Sequence, residues 1–209
     1  MKISYAIPFC GEWEELNKLL EVSCACISSE DEIIILVDQT KVSRSEFEAR
    51  FKFNLDYRDF EVHYSNFTGN FADWKNLLNS YCSGDYIFQI DADELPKPDF
   101  LTHIKQILEN NSEIELFQVP RENYVEGLTE DDIRNWGWNV TADGRVNWPD
   151  YQYRLYKNKA EIRWEGRVHE RPAGFKVFTK FPAVSSFALV HRKSIERQRK
   201  QNAYYNTLV

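Results

Sequence analysis

The stretches EIIILVD, Glu32 to Asp38, and YIFQI, Tyr86 to Ile90, restrict the fold more than any other feature of this chain. Successive side chains of a strand point to opposite faces, so an apolar run without alternation needs cover on both sides. Such strands belong inside a sheet flanked by helices. Around them, strand-like and helix-like runs alternate. KISYAIPF reads as a strand and EWEELNKLLEVSCACI as a helix, with Trp13, Leu16, Leu19 and Leu20 on one side. SRSEFEARF reads as helix, FEVHYS as strand, and FADWKNLLNSYCSG as helix, with Gly84 as its stop. Strands separated by helices imply βαβ units and a mainly parallel sheet, an α/β fold.

Downstream, PDFLTHIKQILENN gives an amphipathic helix with Phe100, Leu101, Ile104, Ile107 and Leu108 in register, and ELFQVPR gives a strand. From Asn123 to Gly174 periodicity weakens, as in loops and short antiparallel strands. SIERQRKQNAYYNTL reads as a polar helix.

At 209 residues a single domain spanning 1–209 is expected, and 43% hydrophobic with 28% charged residues suits a globular chain. Neither a signal peptide nor a membrane span is evident, so a cytoplasmic location is expected. Cys10, Cys24, Cys26 and Cys82 lack paired spacing and read as reduced, mostly buried thiols. A net charge of −7 disfavours nucleic acid as a partner.

YIFQI runs directly into Asp91, Asp93 and Glu94. In open α/β sheets, ligands bind beyond the carboxyl ends of the strands. Residues two apart in an extended segment point the same way, so Asp91 and Asp93 are expected to converge on one hard cation, Mn²⁺ or Mg²⁺. A cation held by one or two carboxylates completes its shell with water and phosphate, which makes a nucleotide diphosphate the natural guest. By itself the segment suits a solvated turn better than a site; its place after a buried strand in a parallel sheet reverses that preference. Neither a GxxxxGK[ST] nor a GxGxxG motif is present.

Four segments in order, IPFCGEWEEL, IIILVDQT, NFADWKNLLNSYCSGDYIFQIDADE and WPDYQYRLYKN with IRWEGRVHE, resemble the inverting family 2 glycosyltransferases of the GT-A fold, of the lipopolysaccharide-core glucosyltransferase type. The resemblance implies a nucleotide-sugar half over about 1–95 and an acceptor half, with smaller antiparallel strands and a C-terminal helix, over about 96–209. It implies Pro8, Glu12 and Asp38 around base and ribose, and Lys75 facing the diphosphate. Asp91 would contact ribose or metal, Asp93 would be the main metal ligand, and His191 would add to metal or diphosphate. Glu170 would be the catalytic base. The donor implied is a UDP-hexose and the acceptor a glycan or glycolipid hydroxyl. Gly11 stands where asparagine is common and QTK where a Ser/Gly-rich turn is common, which leaves donor identity open.

On residue type alone, Asp150 and Glu165 rival Glu170, and any of the three also suits an ion pair with Arg154, Arg163, Arg167 or Arg171. Asp150 is the second candidate, as an acceptor ligand. Lys75 lies one turn into its helix and equally suits a solvated charge or a phosphate partner. His63 and His103 read as structural; His169 and His191 suit that role as well as a functional one. Trp136, Trp138, Trp148 and Trp164 are expected mainly as core, with one or two lining an acceptor groove. Five Lys/Arg between Arg192 and Lys200 read as a solvated helix face, with peripheral attraction to an anionic membrane as a further use. Two other functions remain on residue grounds, a nucleotidyltransferase making nucleotide sugars and a non-catalytic nucleotide-sugar or glycan-binding module. The former needs a basic, Gly-rich N-terminal loop where FCGEWEE is acidic.

Overall fold

The computed structural model describes residues 1–51 and 59–205. Four parallel strands, β1 (Ile3–Phe9), β2 (Glu32–Asp38), β3 (Asp59–Ser65) and β4 (Tyr86–Gln89), lie in the order β3-β2-β1-β4. They are joined through α1 (Trp13–Cys26), α2 (Arg44–Arg50) and α3 (Phe71–Ser80). The unbroken apolar runs have the cause expected of them. Tyr5, Ile7, Phe9, Ile33, Ile35 and Val37 enter one core, shared with Leu16, Leu19 and Leu20 of α1. Ala6, Ile34 and Leu36, one residue out of phase, enter the other, shared with Ala72, Trp74 and Leu78 of α3. Burying each large aliphatic side chain contributes about 1.5–3 kcal/mol, so two covered faces outweigh any alternating, one-sided arrangement.

Gly84 does not stop α3, which ends at Ser80. A Cβ on Gly84 would lie 2.7 Å from the backbone nitrogen of Ser4, so glycine is needed there for close approach to β1.

After β4 come β5 (Glu94–Pro96), α4 (Pro98–Asn110), β6 (Leu116–Glu126), α5 (Glu130–Trp136) and β7 (Val146–Lys157). A β8–β9 hairpin (Arg163–Glu165, Arg171–Ala173), β10 (Phe178–Lys180), β11 (Leu189–Ser194) and α6 (Ile195–Tyr205) follow. The central sheet continues as β4-β7-β6-β11-β5 and is mainly parallel; β7 runs antiparallel to β4 and β6, and β5 to β11. The GT-A type α/β architecture thus holds. The stretch from Asn123 to Gly174, expected as loops and short antiparallel strands, contains the longest strand, β7, and the half-exposed end of β6, which carry little hydrophobic period. It also hides α5, opened by a Thr129/Asp132 capping box and closed by Gly137 in the left-handed region. In the C-terminal helix, the expected extension over 206–208 lies outside the described residues.

Only Trp164 of the four tryptophans is core; Trp136, Trp138 and Trp148 are half-exposed, packed on one another or under Arg145. The four cysteines are free, but Cys10 is exposed and the others half-buried: Cys24 and Cys26 lie in the last turns of α1, and Cys10 and Cys82 outside any helix or strand. His63 stacks on Tyr81 and His103 bonds the Asp99 carbonyl, both structural roles. Among the described residues no helix is long and apolar enough to cross a membrane.

Candidate active site

Parallel packing of β1, β2 and β4 brings their carboxyl ends to one edge of the sheet, and with them Glu12, Asp38 and Asp91. The Asp91–Glu94 segment there is a turn, closed by the Glu94 amide donating to the Asp91 carbonyl at 2.8 Å. Its residues therefore do not alternate as in a strand, although the charge of Asp93 still acts on Asp91. Each carboxylate has its own partners.

Asp93 Oδ2 lies 3.1 Å from His191 Nε2 and 3.0 Å from Arg197 Nη2. Burial favours the neutral acid, but the His191 hydrogen bond and the charges around it hold Asp93 well below the usual carboxylate range. His191 comes from β11, whose pairing with β5 sets it opposite Glu94. Its Nδ1 faces Asn123 Oδ1 at 2.8 Å, while Asn123 Nδ2 donates to Asp150 Oδ2 at 2.8 Å. With its amide nitrogen so committed, Asn123 offers Oδ1 as an acceptor to Nδ1–H, and Nε2 faces Asp93, donating to it when the ring carries both protons and presenting a lone pair to a cation when it carries only the one on Nδ1. A carboxylate oxygen and an oriented imidazole nitrogen fit a divalent cation as a two-ligand site. Among the described residues no group of three or more His, Cys, Asp or Glu is placed to hold a metal. Water and diphosphate oxygens would have to complete the shell.

Asp91 turns instead to Arg154, which also donates to Glu94 Oε1 at 2.6 Å. Burial pushes the Asp91 carboxyl up, but Arg154 and then Lys75 outweigh it and leave the pKa lowered. Glu94, fully enclosed, also takes Arg121 at 2.9 Å. Arg121 in turn holds Asp150 through Nε at 3.0 Å and Nη2 at 2.6 Å. Arg154 is therefore no surface partner; it is 3% exposed and neutralises two carboxylates at once. Neither Arg154, Arg121 nor Glu94 stood out as a site residue in the sequence. The available signal was an arginine in the aromatic run YQYRLY.

Lys75 and Glu170 meet across the two halves, with Nζ 2.5 Å from Oε1. Asn76 on α3 exchanges two hydrogen bonds with the Trp164 backbone, at 2.8 and 2.9 Å. Beyond β8, the Arg167 carbonyl accepts from the Phe71 amide and its side chain donates to the Gly69 carbonyl. These contacts fasten the hairpin loop to the start of α3 and place Glu170 over Lys75. The ammonium lies 3.9 Å from the centre of the Trp164 ring. Burial, and then Arg154, lower the Lys75 pKa. Lys75 is thus no solvated charge.

Of the rival bases, Asp150 accepts from Arg121, Asn123 and Gln152. Burial raises its pKa, but Arg121 leads a larger opposite effect, so it binds protons weakly. Glu165 is exposed on β8. Asp38 accepts from Thr40 and from the Phe67 amide, tying the end of β2 to the segment after β3. Pro8 is half-buried in β1. Glu12 accepts from the Cys10 amide and from Arg197, both at 3.1 Å.

This sheet, with its acidic turn beyond the central strand, has the GT-A type fold. The model of glycosyl transferase family 2 matches residues 4–198, and the chain belongs to that family of glycosyltransferases. Solved structures similar in fold include the following three. S. aureus TarS 1-349 in complex with UDP is 11% identical with a TM-score of 0.61, covering 96% of this chain and 63% of that one. The same protein in complex with UDP-GlcNAc gives 12% and 0.60, covering 92% and 59%. The mannosyltransferase PcManGT from Pyrobaculum calidifontis, in complex with GDP-Man and Mn²⁺, gives 13% and 0.60, covering 90% and 56%. The chain therefore spans less than two thirds of the length of each of these structures. No curated protein matches it in sequence.

Proposed function

We propose that this chain catalyses metal-dependent, inverting transfer of a sugar from a nucleotide diphosphate sugar, UDP-hexose first, to a hydroxyl of a glycan or glycolipid. One observation carries the reading. The ammonium of Lys75 is acted on by both Asp91, after the central strand, and Glu170, from the far half of the chain. A lysine of the first half and the candidate base of the second are therefore in direct contact. The complexes of the TarS and PcManGT structures with UDP, UDP-GlcNAc and GDP-Man support a nucleotide-sugar donor.

In this reading residues 1–95 hold the donor and 96–209 the acceptor. Pro8, Glu12 and Asp38 surround base and ribose, and Asp91 lies on the ribose side. Asp93 and His191 would hold Mn²⁺ or Mg²⁺, which when bound supplies positive charge for the departing diphosphate. Lys75 exchanges Glu170 for a diphosphate oxygen as the donor enters. Its lowered pKa reflects how poorly water reaches it, so an anionic partner is favoured. Glu170, released, accepts the proton of the acceptor hydroxyl at Oε1 while that hydroxyl attacks the anomeric carbon opposite the diphosphate. A positioned carboxylate contributes about 10²- to 10⁴-fold at such a step. Asp150, already holding Arg121 and Asn123, serves better to shape the acceptor side than to take the proton.

A lipopolysaccharide-core type acceptor fits the sequence resemblance. Peripheral contact with the inner face of the membrane would use the exposed Arg192, Arg199 and Lys200 of the C-terminal segment, at about 1 kcal/mol per basic residue near anionic lipid.

The test is a thermal-shift panel of UDP, GDP, CDP and dTDP, each with and without Mn²⁺, on wild type and Asp93→Asn. A ligand at 100 times its dissociation constant adds about 2.7 kcal/mol of stability. UDP with Mn²⁺ is expected to stabilise the wild type and not the variant. A flat panel for the wild type sinks the donor site.

A further inference from the structure

Arg197 lies in the basic stretch read from the sequence as a solvated helix face, yet its guanidinium touches three carboxylates. Nη2 lies 3.0 Å from Asp93 Oδ2 and 3.1 Å from Glu12 Oε1, and Nη1 lies 3.3 Å from Glu15 Oε1. Arg197 is the third residue of α6, which continues directly from the strand bearing His191. Ser194 Oγ accepts from its amide at 3.3 Å, fixing the backbone from which the side chain reaches back. The cation and the imidazole that meet at Asp93 thus come from one short stretch of chain.

A helix staple alone explains part of this. Glu15 on α1 would suffice to pin α6, just as Asp132 on α5 pins Arg199 through 2.9 and 3.0 Å contacts. A staple does not require the same Nη2 to bridge Glu12 and Asp93, the residues that the donor-site reading gives to nucleotide and cation. Nor is the guanidinium sealed in: Arg197 is 36% exposed and Asp93 17%, so the long side chain has room to turn.

The electrostatics make the arrangement conditional. With the site empty, Glu12, Glu15 and Asp93 would repel one another, and one guanidinium relieves all three. A dication at Asp93 and His191 competes for the same carboxylate oxygen and repels the same guanidinium. A diphosphate beside that dication offers Arg197 a new anionic partner, and the planar fork of a guanidinium matches phosphate oxygens.

We propose that Arg197 is a donor-site residue that changes partners: without nucleotide it neutralises Asp93 and Glu12, and with cation and donor bound it leaves Asp93 and turns to the diphosphate. This rests on the donor site proposed above and deepens it, because it makes cation and nucleotide bind weakly apart and tightly together.

The experiment compares wild type, Arg197→Met and the same-helix control Arg199→Met. Free Mn²⁺ is followed by electron paramagnetic resonance without nucleotide, and UDP binding by calorimetry at saturating Mn²⁺. Arg197→Met is expected to bind Mn²⁺ alone about tenfold more tightly, having lost the competitor, and UDP about tenfold more weakly, having lost a charged contact. Arg199→Met should move neither. Should Arg197→Met misfold by circular dichroism, Arg197→Lys replaces it. That variant keeps the charge but not the fork, and is expected to weaken UDP while leaving Mn²⁺ affinity within about threefold. Opposite shifts in the Met variant support the exchange; a shift in one affinity alone, or both in the same direction, overturns it, as does unchanged UDP affinity in the Lys variant. A wild type that binds no UDP at any Mn²⁺ concentration removes the donor site itself, whereas a wild type that binds UDP with an indistinguishable Arg197→Met removes only the role of Arg197.

Discussion

Glu170 Oε1 lies 2.5 Å from Lys75 Nζ, so a loop of the distal hairpin and a helix of the first half bring an acid and a base together in a little-exposed ion pair. Neither residue is exposed enough for water to replace its partner fully, which makes the pair sensitive to any ligand that competes for the lysine.

If Glu170 takes the acceptor proton, Glu170→Gln keeps shape and hydrogen bonding but loses basicity. Calorimetric affinity for UDP with Mn²⁺ should stay within about threefold of wild type, while sugar transfer in single-turnover assays falls by about 10² or more. Unchanged transfer would move the base to Asp150 or Glu165.

Lys75→Met removes the cation that both Glu170 and the diphosphate are proposed to use. UDP affinity should fall by about tenfold or more. Lys75→Arg restores charge and should recover part of it, whereas equal affinity in all three proteins would mean that Lys75 is a purely structural partner of Glu170.

Arg154→Met leaves the enclosed Glu94 with Arg121 alone and the half-buried Asp91 without its arginine. Breaking a buried charge network from one side typically costs about 3–5 kcal/mol. A urea midpoint lowered by that amount is the expected outcome; a loss below about 1 kcal/mol would show that the carboxylates find other partners or protonate readily.

Glu32 anchors the start of β2 by accepting from Ser4 Oγ at 2.5 Å and from the Ser83 amide and hydroxyl at 2.6 and 2.7 Å, beside the Lys2 ammonium. Burial opposes ionisation, but Lys2 and the serines lower the pKa from 4.5 to about 2. A depressed carboxylate pKa stabilises the fold above the unfolded value and ceases to do so as pH falls through the folded one. After discounting for solvent screening, roughly 2 kcal/mol should therefore disappear between about pH 4.5 and pH 2. Glu32→Gln should be less stable at pH 7 and show a shallower acid limb in thermal unfolding; an acid limb identical to wild type would contradict the assignment.

Local physics made the first half of the fold legible before any coordinates. EIIILVD and YIFQI could be satisfied only between two layers of helix, and Leu16, Leu19 and Leu20 carried the helical period that covers one of those faces. The acidic turn after YIFQI and the order of the four family-like segments pointed to the candidate site, and two pairs among the residues they named, Asp93 with His191 and Lys75 with Glu170, are in contact. Spacing could not say that Asp91 would pair with Arg154 and Asp93 with His191 and Arg197, because that depended on a turn closing where extended backbone was assumed. Nor could it find Arg154, Arg121 or Arg197. Each is an ordinary basic residue among 26, and only strand pairing and helix docking decide which carboxylates come within reach of its charge. Hydrophobic period is a property of neighbours in sequence and can be read along the chain, whereas an ion pair between residues 63 or 104 positions apart exists only once the sheet has been assembled.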